Sequence, residues 1–295
     1  MKWFRNTSYN LPLSLKKSRQ ARFEISFMEK VSNKGVKGKT SVTVIVIAKN
    51  EEKKITDCLK SAKWANEVLV IDTGSSDSTP LLAKKYGAKV SVFTKGGYSD
   101  WRNRGNALAN FEWVFYVDAD ERVTPELKEE ILEVIDSDTK TSKYSAYAIP
   151  RKNIILGKEL RHGGWWPDYV KRLYLKNKLK RWRGELHEEP VFEGELGHLK
   201  NPLVHIKHDN LSEMVDKTNI WSEIEAKLML EANHPQMNPI RFLSAMHREF
   251  TLRMLKQRAF LDGPEGIIYA LYQVYSRFIT YAKLWEMQIQ SQNSK

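Results

Sequence analysis

Apolar runs alternate with amphipathic stretches through residues 42–122. Four runs are predicted to be strands, and they cover Val42 to Ala48, Glu67 to Asp72, Lys89 to Phe93 and Trp113 to Val117. The first and the last are apolar enough to be buried strands. The stretches between them have helical spacing, with starts after Glu52, at Thr79-Pro80 and near Asp100. This alternation predicts an α/β fold, in which a mostly parallel sheet is covered by helices on both faces.

The pattern changes twice along the chain and so divides it into three parts. Residues 1–40 lack a packed pattern and are predicted to be a disordered basic extension. Residues 41–210 carry the α/β pattern, including two later strands over Tyr144 to Pro150 and Tyr169 to Tyr174. Residues 211–295 have helical spacing, over Ser212 to Asn233, Pro239 to Phe260 and Gly266 to Gln288. We therefore expect an α/β domain followed by a helical appendage.

The central apolar run leads directly into three carboxylates within four residues, Asp118-Ala119-Asp120-Glu121. Carboxylates this close repel one another unless a positive charge lies among them. Their oxygens suit a hard divalent cation, Mg²⁺ or Mn²⁺, which also holds substrate phosphates. In an open α/β sheet, ligands bind at the carboxyl ends of the strands, where this cluster falls. The alternative is an acidic turn that caps a helix beginning at Thr124-Pro125.

Other strand ends carry polar residues that could serve a nucleotide. Asn50 and Glu51 follow the first strand, and Asp72 ends the second. An ionised carboxylate only accepts hydrogen bonds, so it suits ribose hydroxyls and base N–H groups. Arg102, in the helix before the central strand, could pair with a diphosphate. The sequence contains neither G-x-G-x-x-G nor G-x-x-x-x-G-K-[ST], so a dinucleotide fold and a P-loop are not supported.

Four motifs at these strand ends occur in order: Val-Ile-Ala-Lys-Asn-Glu-Glu (46–52), Val-Ile-Asp-Thr-Gly-Ser-Ser-Asp (70–77), Arg-Asn-x-Gly (102–105) and Trp-Val-x-x-x-Asp-Ala-Asp-Glu (113–121). Together they resemble the family 2 glycosyltransferases, in particular the branch that contains lipopolysaccharide-core enzymes, over about residues 42–210. The resemblance implies a GT-A fold, a Rossmann-like sandwich that binds a nucleotide sugar.

By position, the resemblance implies roles for the strand-end residues. It implies that the nucleoside site is lined by Asn50, Glu51, Asp72 and Arg102. Asp118 would meet the ribose, and Asp120 would hold the metal ion, Mg²⁺ or Mn²⁺, that bridges the diphosphate. Phe111 stands where relatives usually have Gly, which we interpret as a change at a turn.

The resemblance also places the catalytic base near residue 188. Glu188 is the candidate, within the segment Trp182 to Pro190, with His187 beside it. In the alternative interpretation, Glu189-Pro190 only ends a strand and His187 is a structural histidine. Both alternatives remain open from the residues themselves.

Two tryptophans and a carboxylate are candidates for the acceptor or sugar site. Trp165 and Trp166 could stack against sugar faces, because indoles are large and flat, or they could brace an irregular loop. Asp168 follows them closely and is a second candidate there. His205 and His208 are not predicted to bind zinc, because no Cys partner lies near them.

The net charge of +12 is concentrated at the N-terminus, where residues 1–40 carry ten Lys or Arg and two Glu. Such an arm could meet nucleic acid or an anionic membrane, or it could be a solvated tail preceding a start at Met28. The single cysteine, Cys58, excludes an intramolecular disulfide. The sequence predicts neither a signal peptide nor a membrane-spanning helix, because no apolar run is long enough.

The last predicted helix has an apolar face over Ile267, Ala270, Leu271, Val274, Phe278, Tyr281 and Leu284. Basic residues lie alongside it, namely Arg253, Lys256, Arg258, Arg277 and Lys283. This pattern predicts either contact with a membrane surface or packing on protein. Relatives act on lipid-linked acceptors, so we expect a peripheral protein on the cytoplasmic face of the cell membrane.

The function implied is a metal-dependent, inverting glycosyltransferase of lipopolysaccharide or cell-envelope glycan synthesis. Its partners would be a nucleotide-sugar donor and a glycan or lipid-linked acceptor, and no nucleic acid is expected. The alternative is an inactive, basic membrane- or nucleic-acid-binding protein on the same fold. The crowded carboxylates disfavour that alternative, because without metal they would repel phosphate.

Overall fold

The computed structural model describes residues 41–136, 143–184 and 188–293. The predicted basic extension, residues 1–40, lies outside the described residues, and so does His187. The described residues belong to one compact unit, which begins at Thr40.

The first half of this unit alternates strands and helices as predicted. Its elements are β1 (Val42–Ala48), α1 (Ile55–Ala62), β2 (Glu67–Asp72), α2 (Thr79–Lys85), β3 (Lys89–Val92), α3 (Tyr98–Leu108), β4 (Trp113–Asp118), β5 (Glu121–Val123) and α4 (Pro125–Asp136). Strands β1 to β4 pair side by side and parallel, in the order β3-β2-β1-β4. The carboxyl ends of these strands therefore meet at one edge of the sheet.

The second half completes the sheet with mostly antiparallel strands. Its strands are β6 (Tyr144–Ile155), β7 (Lys158–Glu159), β8 (Asp168–Leu175), β9 (Leu179–Arg183), β10 (Glu189–Phe192), β11 (Glu195–His198) and β12 (Leu203–His208). The main sheet continues β4-β8-β6-β12-β5, with β7 and β11 also paired to β6, while β9 and β10 form a separate hairpin. The topology is that of the expected GT-A fold, and the sheet is mixed where only its parallel part was predicted.

Both faces of β1 and β4 are buried, as their apolar runs predicted, whereas the edge strand β3 is partly exposed. Val42, Val44 and Val46 of β1 pack on one side, in a core shared with Cys58 of α1. Ile45 packs on the other side, in a second core that includes Tyr116, Tyr174 and Trp182. The placement of Cys58 in the core raises the pKa of its thiol, because burial disfavours the charged form.

The C-terminal region is helical, as predicted, but its boundaries differ. It contains α5 (Leu211–Glu231), α6 (Pro239–Phe250), a π-helical segment (Thr251–Lys256), a 3₁₀ turn (Ala259–Asp262) and α7 (Gly263–Asn293). The predicted single helix from Pro239 to Phe260 is wrong, because Arg258 adopts a left-handed conformation with φ of 53°. Spacing alone could not show the change of hydrogen-bond pattern after Phe250.

The helical region is hydrogen-bonded to the loop that precedes β8. Asp262 accepts hydrogen bonds from the backbone N–H groups of Arg161 (2.9 Å) and His162 (2.7 Å). Gly163 N donates to Gln257 O at 2.8 Å, and Arg253 donates to Gly163 O at 2.8 Å. The C-terminal helices therefore shape one wall of the region around Trp165 and are part of the same unit.

No described helix combines the length and the apolar character that crossing a membrane requires.

Candidate active site

The sheet register brings the predicted carboxylates to one edge. Asp72 at the end of β2 is the neighbour of Ala48 in β1, and Asp118 at the end of β4 is the neighbour of Ile47. Adjacent strands lie about 4.8 Å apart, so Asp72 and Asp118 flank the end of β1 at nearly the same level. This edge is where the four motifs of the sequence meet.

Asn50 and Asp72 hold the loops after β1 and β2 together. Asn50 Oδ1 accepts from Ser76 N at 2.8 Å, and Asn50 N donates to Ser75 Oγ at 2.9 Å. Asp72 accepts from the Ser75 hydroxyl at 2.5 Å and is almost fully buried. Glu51 N donates to Thr79 Oγ1 at 2.8 Å. The two loops therefore form one cross-linked rim at the predicted nucleoside site.

Asp118 is held by two arginines. Arg172 of β8 donates to Asp118 through Nη1 at 3.2 Å and makes a shorter contact through Nη2, and Arg102 Nη2 donates to it at 3.3 Å. Arg172 also donates to Glu121 at 2.8 Å, and Glu121 accepts from Asp118 N at 2.9 Å. Arg151 lies 3.6 Å from Glu121. A network of alternating charges thus fixes the end of β4.

Burial alone would raise the pKa of Asp118. The guanidinium groups of Arg172 and Arg102 outweigh that effect and hold the pKa well below its usual range. Burial alone would lower the pKa of Arg172, but the carboxylates of Asp118 and Glu121 outweigh that effect and raise it. Asp118 is therefore ionised at any ordinary pH, which suits an acceptor of hydroxyl hydrogen bonds.

Arg102 connects Asp118 with the predicted catalytic base. Its Nε donates to Glu188 Oε1 at 2.9 Å while its Nη2 contacts Asp118, and the side chain is buried. The guanidinium lies 4.8 Å from the Trp182 ring centroid and 5.4 Å from that of Tyr116. Arg102 Nη1 is buried without a hydrogen-bond partner among the described residues. Arg102 thus binds carboxylates here, and its predicted contact with a diphosphate stays a prediction.

Helix α3 positions the hairpin that carries Glu188. Asn103 and Trp182 bond reciprocally, with Asn103 Nδ2 to Trp182 O at 3.0 Å and Trp182 N to Asn103 Oδ1 at 2.7 Å. The Ser99 hydroxyl donates to Gly184 O. Ser99, Arg102 and Asn103 are spaced three and four apart, so they share one face of the helix. The segment 185–187 between β9 and Glu188 lies outside the described residues.

Asp120 faces His205, which β12 supplies. Strand β5 directly follows Asp120 and pairs antiparallel with β12, which sets His205 opposite Glu121. Asp120 Oδ2 then lies 3.5 Å from His205 Nε2, and His205 Nδ1 bonds to Asn153 Oδ1 at 2.7 Å. Burial would raise the pKa of Asp120, and the hydrogen bond and charge of His205 lower it.

The donor set at Asp120 fits a divalent cation that shares its ligands with phosphate. Asn153 Oδ1 can only accept, so Nδ1 of His205 carries a proton, and Nε2 is the His205 atom that faces Asp120. The Asp120 carboxylate is of the type that Mg²⁺ and Mn²⁺ prefer, and the imidazole nitrogen beside it is a common metal ligand. The described residues contain no group of three or more His, Cys, Asp or Glu side chains arranged for a metal ion. Mg²⁺ and Mn²⁺ sites with few protein ligands are completed by phosphates and water.

Glu51 is the second carboxylate near Asp120. Burial, followed by the charge of Asp120, raises the pKa of Glu51 to about 7. Its side chain makes no hydrogen bond or ion pair within the described residues. Glu51 therefore responds to any positive charge that arrives at Asp120, because a nearby cation favours the ionised form.

The acceptor candidates have different surroundings. Asp168 accepts from Arg151 at 2.9 Å and from Asn153 at 3.0 Å, so it belongs to the same polar network. Trp165 is half-buried against Tyr269, with ring centroids 4.9 Å apart, which is the bracing arrangement. The Trp166 side chain is 41% exposed and remains open to a ligand.

Lys207 reaches the same area from β12. Burial, with a smaller effect of Arg151, lowers the pKa of Lys207 to about 8. Asp168, Asp120 and Arg253 are the other charged groups near enough to act on it. Lys207 therefore loses its proton more readily than an ordinary lysine does.

Sequence reasoning did not assign roles to Arg172, Glu121, Arg151 and His205. Glu121 was noted only as part of the acidic run, and His205 only as an unconvincing zinc ligand. Their partners lie on strands distant in the sequence, so no local pattern marked them. One signal was available, namely Arg172 directly before the apolar end of β8, since a charge in the buried part of a strand requires a partner.

A cavity of about 430 Å³ lies away from this edge. Glu67, Lys89 and Asn110, near the amino ends of the parallel strands, are among its lining residues. Its position at the opposite edge of the sheet separates it from the carboxylates described above.

The comparisons with known proteins agree with the motifs. The profile of the family described as "Glycosyl transferase family 2" matches residues 43–194. An uncharacterized glycosyltransferase of Rickettsia typhi is 28% identical over 264 residues, which cover 85% of this chain and 89% of that protein. The lipopolysaccharide core biosynthesis glycosyltransferase LpsC of Rhizobium meliloti is 23% identical over 261 residues, which cover 84% of this chain and 93% of LpsC. Among solved structures, S. aureus TarS 1-349 is similar, with a TM-score of 0.43 and 18% sequence identity. The match covers 85% of this chain and 92% of the TarS chain.

Proposed function

The chain belongs to glycosyl transferase family 2, and we propose that it moves a sugar from a nucleotide-sugar donor to a glycan or lipid-linked acceptor of the cell envelope. One observation carries the site assignment. Arg102 forms ion pairs with both the strand-end carboxylate Asp118 and Glu188. The residue proposed to bind the donor ribose and the proposed base therefore contact the same side chain. The relative LpsC, named for lipopolysaccharide core biosynthesis, supports an acceptor of that kind.

Glu188 is the base in this proposal. Its Oε1 is occupied by Arg102, while its Oε2 makes no hydrogen bond within the described part of the chain. Oε2 would take the proton of the acceptor hydroxyl as that oxygen forms a bond to the anomeric carbon. The bond from that carbon to the diphosphate breaks in the same displacement, and the nucleoside diphosphate leaves with the electron pair. A single displacement inverts the configuration of the sugar.

Donor binding is assigned to the rim formed by the loops after β1 and β2. Asn50, Glu51 and Asp72 would contact the nucleoside, and Asp118 the ribose. Asp120 and His205 would hold Mg²⁺ or Mn²⁺ together with the diphosphate, where the ion's charge stabilises the leaving group. Arg172 acts by positioning, because it holds Asp118 and Glu121 in place.

We further propose that the protein acts at the cytoplasmic face of the membrane through its helical region. Large apolar side chains there are exposed, and Ile240 (77%) and Leu243 (72%) on α6 are the most exposed of them. We define the α6 rim as Ile240, Leu243, Phe250, Leu255, Phe260 and Leu261 with the exposed cations Arg241, Arg248, Lys256 and Arg258. Apolar side chains flanked by basic ones suit an anionic lipid surface.

Binding of a nucleoside diphosphate tests the donor assignment directly. Thermal shift of the full chain is measured with UDP, GDP, ADP and their sugars, with and without Mn²⁺. We expect one nucleoside to raise Tm by several degrees with Mn²⁺ only, since ligand at about 100 times its Kd stabilises by about 2.7 kcal/mol. Equal shifts with and without Mn²⁺ would contradict the metal dependence. No shift with any nucleotide, even in the presence of Mn²⁺, would contradict the donor site and favour an inactive binding protein.

Asp120→Asn removes a charge at constant shape and should abolish the metal-dependent part of that shift. Asp216→Asn is the matched control, because Asp216 is exposed on α5 and makes no described contact. A full Mn²⁺ response in Asp120→Asn would mean that other ligands hold the ion.

A further inference from the structure

Lys207 lies at a bulge in β12, beside the candidate active site. The pairing of β12 with β6 shifts register between Ile206 and His208, which leaves Lys207 as the extra residue. Bulges re-aim side chains and are frequent next to active sites. Lys207 Nζ accordingly lies 4.5 Å from the centroid of the Trp165 ring and 5.8 Å from that of Tyr269.

The ammonium of Lys207 has no anionic partner among residues 41–136, 143–184 and 188–293, and it makes no hydrogen bond there. The arginines around the site differ in this respect, because each holds a carboxylate: Arg102, Arg151, Arg172 and Arg253. A half-buried charge without a partner is costly. The position of Lys207 is therefore suited to an anion that comes from outside the chain.

The surface under Lys207 is preformed. Arg253 lies 5.2 Å from the centroid of the Trp165 ring, donates to Gly163 O at 2.8 Å and pairs with Glu249 at 2.9 Å. The loop that carries Trp165 is thus fixed before any ligand arrives. A binding surface that is already ordered loses little freedom when a ligand arrives, which favours affinity.

Asn153 links this surface to the predicted metal residue. Its Nδ2 donates to Trp165 O at 3.2 Å, and its Oδ1 bonds to His205 Nδ1 at 2.7 Å. His205 in turn faces Asp120. An anion on Lys207 would therefore lie on the Trp165 side of the reaction centre and would leave the rim of Asn50 free for the nucleoside.

We propose that Lys207 binds a negatively charged group of the acceptor, a phosphate or a carboxylate, next to the hydroxyl that is glycosylated. The proposal rests on the proposed function, because it names the class of acceptor for that same site. A neutral glycan would leave the ammonium unpaired, whereas an anionic one forms a charge-assisted hydrogen bond. The exposed ring of Trp166 is available to the attached sugar.

Calorimetry on the full chain tests this with glucose 6-phosphate, glucuronate and glucose as probes. Each is titrated without nucleotide and again with Mn²⁺ and a saturating nucleoside diphosphate. We expect the anionic probes to bind more tightly than glucose in both conditions. Lys207→Gln should weaken their binding about tenfold or more, as for the loss of one hydrogen bond to a charged group. Lys207→Arg should retain most of the affinity.

Lys84→Gln is the matched control, since Lys84 is an exposed lysine of α2 that makes no described side-chain contact. It should bind the probes as the wild type does, and an unchanged Tm of Lys207→Gln shows that the variant folds. Equal binding of glucose and the anionic probes, or wild-type binding by Lys207→Gln, would overturn the proposal. So would displacement of the probes by the nucleoside diphosphate, which would assign Lys207 to the donor.

A second arm distinguishes a sugar phosphate from a lipid phosphate. Dihexanoyl phosphatidate is titrated as a monomer beside glucose 6-phosphate, and tighter binding of one of them, dependent on Lys207, identifies the source. Failure of every nucleoside diphosphate to bind would contradict the proposed function. The probes without nucleotide would still decide whether Lys207 holds an anion.

Discussion

Glu188 and Glu189 are adjacent carboxylates with different surroundings. Glu188 is largely buried and bonded to Arg102 at 2.9 Å, whereas the Glu189 side chain is 67% exposed and lies 3.8 Å from Arg183. Glu188→Gln keeps an oxygen for Arg102 but loses the ability to take a proton. We expect kcat to fall about 10²- to 10⁴-fold with the donor KM unchanged, as is typical for a lost general base.

Steady-state kinetics with the nucleotide sugar that the thermal-shift measurements select tests this, and Glu189→Gln is the control. A wild-type rate in Glu188→Gln together with an inactive Glu189→Gln or Asp168→Asn would show that the base was misassigned. The metal assignment at Asp120 would not be affected.

The raised pKa of Glu51 links stability to pH. Its folded-state pKa of about 7 lies above the ordinary value of 4.5, so the folded protein holds this proton more tightly than the unfolded chain. The stabilisation from that proton is complete below pH 4.5 and is lost as the pH rises through 7. Its size is at most about 3 kcal/mol. Glu51→Gln keeps the neutral form, so it should raise Tm relative to the wild type at pH 8 but not at pH 5.

Thermal denaturation without metal or nucleotide at the two pH values measures the effect. Glu286→Gln serves as the control, because Glu286 is exposed on α7. An equal change in both variants would show that Glu51 is an ordinary surface carboxylate.

At the residue scale, the sequence predicted those site residues that lie at the ends of apolar runs. Asp72, Asp118 and Asp120 could be found in this way, because a buried strand must end where polar groups begin. Arg172 and His205 could not, because their roles depend on β8 and β12 lying beside β4 and β5. Roles that depend on pairing between distant segments have no local signal.

At the element scale, Gly105 determines how closely α3 packs on the sheet. A Cβ at this position would lie 2.6 Å from Ile45 Cγ2 and 3.6 Å from Ile71. Alanine is intrinsically better than glycine in a helix by about 1 kcal/mol. Overpacking typically costs about 1–3 kcal/mol. We therefore expect Gly105→Ala to lower stability and, by moving Arg102, to weaken nucleotide binding.

A double-mutant cycle separates the clash from other effects. In the background of Ile45→Ala, which makes room, Gly105→Ala should cost less than in the wild type. Urea denaturation of the four proteins measures the coupling. A Gly105→Ala variant more stable than the wild type would show that α3 does not depend on close approach.

Long, strongly apolar elements were predictable, and short or irregular ones were not. Strands β1, β2 and β4 bury nearly all their side chains, so composition alone identified them, whereas the short edge strand β3 is partly exposed. Strand β5 has three residues and β7 has two, and each is stabilised by its neighbour in the sheet. The π-helical segment after Phe250 was not predicted, because its residues keep helical spacing while their hydrogen-bond pattern changes.

At the scale of the whole molecule, the helical region is both packed and exposed. The predicted apolar face of α7 is divided, with Ala270, Tyr281 and Leu284 buried and Ile267, Leu271 and Phe278 exposed. Several predicted lipid-facing cations pair with acidic residues instead: Arg253 with Glu249, Arg277 with Glu225 and Lys283 with Glu223. Packing on protein is therefore confirmed for part of the predicted face, and membrane contact stays a prediction for the exposed side chains, among them the α6 rim.

Removal of the helical region is a poor test of membrane binding, because Asp262 and Arg253 hold the loop around Trp165. Substitutions on the α6 rim are a more specific test of membrane binding. Ile240→Ser with Leu243→Ser removes two highly exposed apolar side chains that make no core contact. Leu81→Ser is the matched control, since Leu81 is 71% exposed on α2.

We expect the full chain to float with anionic vesicles and to float less with neutral ones. Each basic residue near an anionic surface contributes about 1 kcal/mol, and salt screens that attraction. Flotation should therefore decrease at high salt, should be reduced in Ile240→Ser/Leu243→Ser, and should be unchanged in Leu81→Ser. A wild-type protein that never floats, but whose sedimentation shows a dimer abolished by the double substitution, would identify the α6 rim as a contact between two copies. In that case we would expect the acceptor to reach the site from solution.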